Sequence, residues 1–127
     1  QRRLRGQDRP PAVRRLPHVL RRGRAYRAAH ELGASGTISV WADVQPQLVH
    51  DMCRAYLDGD VARARDIQIA GQPLINALFS EVNPIPVKEA LAQMGMIEAN
   101  YRMPLCPMAN DTRTALTDAL KGAGLLD

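Results

Sequence analysis

The chain of 127 residues is poor in aromatic side chains: three Tyr, one Phe and one Trp make up 4% of it. A core must therefore rest on Leu, Ile, Val, Ala and Met, and no set of rings offers a stacking platform for nucleic-acid bases. Cysteine is scarcer still. Cys53 and Cys106 lie far apart with no CxxC spacing, so they read as reduced, partly buried small hydrophobes and not as a disulfide or a metal pair. Lysine occurs only at positions 88 and 121, which leaves two side-chain amines for Schiff-base chemistry. No apolar run approaches the roughly 18 residues of a membrane span. The charged N-terminal stretch lacks the apolar segment of a signal peptide, so no membrane is expected and the cytoplasm is the expected compartment.

Several catalytic frames are missing as well. Neither GxxxxGK nor GxGxxG occurs, since GASG at 33–36 lacks both the lysine and the spacing of a phosphate loop. His18, His30 and His50 are scattered and none sits in an HExxH frame, so neither a metal nor a cofactor is expected. Ser39 and Ser80 have no nucleophile elbow around them, and no orienting group stands beside His50 as a general base. Lys88 falls in the first turn of an expected helix, where the dipole disfavours a cation, so it needs a partner or water. It reads as structural, and Lys121 as plain surface.

What is present is an apolar fraction of 46%, enough for one compact domain, and charge that is unevenly spread. Residues 1–30 hold ten Arg against the single Asp8, whereas the remainder holds seven basic and twelve acidic groups. The formal net charge of +4 is thus an average over two unlike pieces. The arginine-rich piece carries Pro10, Pro11 and Pro17 and no sustained period, the pattern of a disordered tail. An arm gripping nucleic-acid phosphate is its functional rival, disfavoured by the lack of any accompanying recognition fold.

At Glu31 the character changes. GASGTISVWADV contains the β-rich run Thr37–Trp41, which predicts one strand needing partners from elsewhere. Pro46 suits the first turn of a helix whose apolar face is Leu48, Val49, Met52, Cys53, Tyr56 and Leu57, closed by Gly59. Asp60 caps a second helix with a face through Val61, Ala64, Ile67, Leu74, Leu78 and Phe79, which Pro73 should bend or break. In NPIPVK, Pro84 keeps Asn83 out of helical geometry and Pro86 presets the first turn of a helix carrying Val87, Ala90, Leu91 and Met94, ended by Gly95. YRMPLCPM at 101–108 predicts an ordered loop. Asn110 or Asp111 should cap a last helix burying Leu116, Ala119 and Leu120.

GASGTISVWADV, LDGDVARARDIQ, NPIPVKEALAQMG and YRMPLCPM, in this order and spacing, resemble the C-terminal part of the 4-hydroxy-tetrahydrodipicolinate synthase (dihydrodipicolinate synthase) family. The resemblance covers residues 32–127 and lies within the pyruvate-dependent class I aldolases. It implies an α/β fold class: a C-terminal fragment of a (β/α)8 barrel, mostly helical in itself. Thr37–Val40 would resemble the last barrel strand. The implied divisions are an arginine-rich tail at 1–30, the last strand and helix at 31–58, and a C-terminal helical region at 59–127.

The resemblance further implies a lyase of lysine biosynthesis that condenses pyruvate with aspartate semialdehyde through a Schiff base, usually as a homotetramer. The family's lysine nucleophile, proton-relay tyrosine, carboxylate-binding arginine and neighbouring threonines lie upstream, with no counterpart here. No catalytic residue is therefore expected in this chain, and alone it should be inactive. Ile38 is the one residue matching a substrate-binding position, an apolar wall near the end of the last strand.

The family commonly reads SVTANV where Ser39 to Val44 stand, so Trp41 replaces a threonine and Asp43 an asparagine. The tail departs from the family altogether. Leu20, Arg21, Arg22, Gly23 and Arg24 match a one-base-shifted reading of GC-rich codons for the family's Ser-Gly-Glu-Asp-Ala block, so residues 1–30 read as disordered or frameshifted. Three alternatives stand beside the synthase: a related aldolase such as N-acetylneuraminate lyase, a small arginine-tailed nucleic-acid-binding or interaction protein, and a degraded paralogue partnering a full-length subunit.

Overall fold

The computed structural model describes residues 18–20 and 34–127. The expectation that residues 1–30 are disordered or frameshifted falls, apart from His18–Leu20, outside the described residues. Two short strands, β1 (His18–Leu20) and β2 (Ala34–Thr37), pair in parallel. Val19 lies opposite Gly36 and Leu20 opposite Thr37, with an irregularity between His18 and Val19. Five helices follow: α1 (Val40–Val44), α2 (Pro46–Leu57), α3 (Val61–Leu78), α4 (Ile85–Gln93) and α5 (Asn110–Gly122). The described part is mostly helical, as the Leu- and Ala-rich composition suggested.

The expected strand at Thr37–Trp41, and with it the barrel-strand match at Thr37–Val40, sits too far along. β2 ends at Thr37 and Val40 already opens α1. The reason is Ser39, whose hydroxyl accepts a hydrogen bond from the Trp41 backbone N–H at 3.2 Å and starts a helical turn. The β propensity of Val40 and Trp41 yields to that cap and to burial: the Trp41 indole is fully enclosed.

Local helix signals hold better. Pro46 lies in the first turn of α2, and Gly59, at φ 89°, ends the segment where only glycine is comfortable. Asp60 caps α3 by accepting from the Arg63 N–H at 3.1 Å. Val49, Met52 and Ala55 bury the inner face of α2, with Leu48, Cys53 and Tyr56 half-buried and Leu57 exposed. Cys53 and Cys106 are both free, but Cys106 is exposed and not partly buried. α3 runs unbroken through Pro73 and buries Ala64, Gly71, Leu74, Ile75 and Leu78. Pro86 stands in the first turn of α4, Gly95 beyond its end has φ 72°, and the Asn83–Pro84 and Met103–Pro104 bonds are cis.

One core joins all five helices. Trp41 and Val44 of α1, the inner faces of α2 and α3, Ile85, Val87 and Ala90 of α4, and Leu116 and Leu120 of α5 form a single cluster. Between α4 and α5 the chain has no regular structure, yet Tyr101, Leu105 and Met108 pack onto that cluster, as the proline-rich sequence predicts. Neither Asn110 nor Asp111 caps α5, contrary to expectation. Its first residue is Asn110, its N-cap is Ala109, and the Glu81 carboxylate accepts from the Ala109 N–H at 3.0 Å and from the Thr112 hydroxyl. The cap arrives from 28 residues upstream, where no local pattern can announce it.

Candidate functional site

The carboxyl end of β2 is where a parallel β/α architecture places its chemistry. Ile38 occupies that point, immediately after the strand, with 66% of its surface exposed. The next residues are held rigidly. Ser39 is buried and caps α1, the Gln45 N–H returns to the Trp41 carbonyl at 2.9 Å, and the Trp41 Nε1–H donates to Gln45 Oε1 at 2.8 Å. Ile38 is thereby an exposed apolar side chain fixed between a strand end and a capped turn.

Trp41 is fully buried. It fills the core and lies against the backbone of α3 at Gly71, where a Cβ would come within 2.3 Å of its Cζ2 atom. Behind the indole, a groove of about 360 Å³ runs between α2, α3 and α5, bordered by Gln45 and Gly71. Among the described residues Asp118 is the only ionisable one along it, so these residues form no acid–base pair there.

The two lysines are engaged in structural contacts. Lys88 Nζ donates to the carbonyl of Asn100 and stands 5.4 Å from the centroid of the Tyr101 ring, which gives the cation at the start of α4 the partner it needs. Lys121 Nζ donates to the Asp127 carbonyl at the end of the chain. Lys88 is half-buried and Lys121 exposed, so neither stands in the enclosed apolar pocket that a Schiff-base lysine occupies. His50 Nδ1 lies 3.2 Å from Asp51 Oδ1 on an exposed surface. The hydrogen bond from His50, followed by that from Gln47, holds the Asp51 carboxyl below its ordinary value. Among the described residues no group of three or more His, Cys, Asp or Glu can hold a metal ion. Among them, too, no helix is long and apolar enough to cross a membrane.

The sequence reading missed the most heavily bonded polar group described. Glu89 of α4 is 3% exposed. Its Oε1 accepts from Arg113 Nε at 2.7 Å and from Gln93 Nε2 at 3.1 Å, while Oε2 accepts from the Tyr101 hydroxyl at 3.0 Å. Burial pushes this carboxyl up, but the bonds from Gln93 and Tyr101 and the Arg113 charge outweigh it and hold the group below its ordinary value. Burial and then the bond to Glu89 push the Tyr101 phenol up to about 12. The sequence carried no signal for it: Glu89 lies off the apolar stripe of Val87, Ala90, Leu91 and Met94, and is buried on the side of α4 that Ile85 and Pro86 occupy.

The fold can be set beside known proteins. Residues 24–123 match the model of the Dihydrodipicolinate synthetase family. The chain is 46% identical over 95 residues to 4-hydroxy-tetrahydrodipicolinate synthase of Nitratidesulfovibrio vulgaris, covering 75% of this chain and 32% of that one. It is 47% identical over 95 residues to the enzyme of the same name from Polynucleobacter asymbioticus, covering 75% and 31%. Among solved structures, dihydrodipicolinate synthase of Thermotoga maritima superposes with a TM-score of 0.81 at 38% identity, over 84% of this chain and 36% of that chain. The chloride-inhibited, pyruvate-complexed synthase of Acinetobacter baumannii gives 0.83 at 36% identity, over 87% and 38%. This chain spans about a third of the length of the curated relatives it matches. The match over most of its residues is decisive: the chain belongs to the Dihydrodipicolinate synthetase family.

Proposed function

We propose that the chain is the C-terminal part of a 4-hydroxy-tetrahydrodipicolinate synthase, a cytoplasmic lyase of lysine biosynthesis that condenses pyruvate with aspartate semialdehyde and works as a homotetramer when whole. β2 is then the last strand of its (β/α)8 barrel, α2 the last barrel helix, and α3 to α5 the C-terminal helical region. The observation that carries the reading is the 46% identity over 95 residues to a synthase of that name.

In such an enzyme the amine lies on the upstream part of the barrel and forms a C=N bond with the pyruvate ketone, releasing water. This chain supplies Ile38, the exposed apolar residue at the carboxyl end of β2, as an apolar wall and a backbone contact near bound pyruvate. The helices behind it fix that wall through Ser39 and Trp41. N-acetylneuraminate lyase and a nucleic-acid-binding protein are the weaker readings, because the relatives from Nitratidesulfovibrio vulgaris, Polynucleobacter asymbioticus and Thermotoga maritima carry the synthase name.

Borohydride reduction in the presence of pyruvate tests the proposal, since it turns a C=N bond into a stable amine and marks the lysine by mass. The 127-residue chain alone should give no adduct. Co-expressed with the N-terminal two thirds of the Nitratidesulfovibrio vulgaris enzyme, it should yield an adduct on the co-expressed part and restore condensation, with Ile38→Asp raising the pyruvate KM. An adduct on Lys88 or Lys121 of the isolated chain overturns the assignment of the nucleophile to the upstream part.

A further inference from the structure

Residues 94–109 join α4 to α5 without a strand or helix of their own. Their internal backbone bonds are few and local, such as Asn100 N–H to Glu98 and Leu105 N–H to Arg102. Segments of this kind open at low free-energy cost unless something outside holds them. Here the apolar hold is Tyr101, Leu105 and Met108 on the core, and the polar hold runs through two carboxylates at either end of the NPIPVK stretch. Glu81 ties down the far end at Ala109 and Thr112. Glu89 ties down the middle at Tyr101 and, through the same carboxylate, fastens Arg113 of α5. Thr117 of α5 closes the ring by donating to Gln93 Oε1 at 2.9 Å.

We propose that residues 94–109 form a strap latched by the Glu89 carboxylate, and that neutralising this one group releases the strap while α2 and α3 stay folded. The latch depends on ionisation because all three partners donate: Gln93 Nε2, Arg113 Nε and the Tyr101 hydroxyl. A carboxylate offers acceptors only, whereas a carboxylic acid brings a proton among these donors. Protonation also removes the charge that makes the Arg113 and Tyr101 bonds strong.

No other described charge takes over this duty. Lys88, the neighbouring cation on α4, is committed to the Asn100 carbonyl and the Tyr101 ring. On the other helices packed against α4, the charged side chains are Asp43 of α1, Arg63, Arg65 and Asp66 of α3, and Asp111, Arg113, Asp118 and Lys121 of α5, and all are exposed. Arg113 is the cation that acts on Glu89, and Glu81 acts on Tyr101 from the other side. Because the folded chain favours ionised Glu89, the latch is fully set above the ordinary carboxyl value of 4.5 and slips as pH falls below it.

Hydrogen exchange of the 127-residue chain read by mass spectrometry tests the strap. Glu89→Gln at pH 7 isolates this group from every other carboxylate. It should speed exchange over residues 96–105 by about tenfold or more, in line with the loss of a charge-assisted bond, with α3 as slow as in the parent. The parent, followed downward from pH 4.5 and corrected for intrinsic rates, should show a localised rise over the same residues that grows as pH falls. Tyr101→Phe keeps the carboxylate and Arg113 and removes only the strap's bond, so it should free the strap even if Glu89→Gln fails to fold. The proposal fails if strap and α3 speed up together in Tyr101→Phe, or if the strap remains as protected as in the parent.

Discussion

Gly71 and Trp41 meet so closely that a single added carbon must displace one of them. A Cβ at position 71 would lie 2.3 Å from Cζ2 and 2.5 Å from Cη2 of the indole, and that ring is fully enclosed and pinned by Gln45. Gly71→Ala gains helix propensity, worth about 1 kcal/mol, but forces an overpacked core that costs about 1–3 kcal/mol. We expect net destabilisation, with the native indole shifted toward solvent. Denaturant unfolding followed by fluorescence of the single tryptophan reads both effects, and a stabilised Gly71→Ala chain would show that the indole moves aside freely. The sequence showed that Trp41 stands where the family commonly has threonine, but not what accommodates it. The accommodating residue is a glycine 30 positions on, and a missing side chain leaves no periodic mark.

Helix boundaries divide into those written locally and those that are not. Pro46, Gly59, Asp60, Pro86 and Gly95 act within a turn of their own position, so each was legible before the fold was known. The start of α5 is different, because the N–H of its N-cap Ala109 and the Thr112 hydroxyl are met by Glu81, the former across 28 residues. Asn110 and Asp111 looked like caps and are not. Substitution separates the two kinds. Asp60→Ala should cost about 1 kcal/mol through the loss of one local cap. Glu81→Ala should cost a similar amount or more, since it strips both the Ala109 N–H and the Thr112 hydroxyl, while Asn110→Ala and Asp111→Ala should each change stability by less than about 0.5 kcal/mol. Equal losses at Asp60, Asn110 and Asp111 in chemical denaturation would return the cap of α5 to its own sequence. The same distinction explains the misplaced strand: β propensity at Val40 and Trp41 was read correctly residue by residue and lost to the Ser39 cap.

Over the whole molecule, one buried carboxylate and one half-buried phenol that share a hydrogen bond join α4, α5 and the segment between them, and this pair shapes how stability follows pH. Family membership was legible because motifs such as NPIPVK keep their order and spacing. The Glu89 cluster was not, because its partners lie 4, 12 and 24 residues away and only the fold unites them. Glu89 is held below its ordinary value of 4.5, so its contribution is complete above that value and is lost as pH falls through the lower folded value. Tyr101 is raised from 10.0 to about 12, so its contribution is complete below 10 and is lost as pH climbs through that interval. Unfolding free energy should therefore be flat, as far as this pair is concerned, between roughly pH 5 and 9, and should fall on both sides. Tyr101→Phe removes the alkaline decline and weakens the acid one, because Glu89 loses a donor but retains Arg113 and Gln93. Glu89→Gln flattens the acid limb and shortens the alkaline one, since the neighbouring negative charge that opposes phenol ionisation is gone. Urea unfolding of the parent and both variants across pH 3 to 12 measures the pattern. Parallel alkaline limbs in parent and Tyr101→Phe would mean that the decline comes from other groups and that the phenol and carboxylate do not share their protons through the fold.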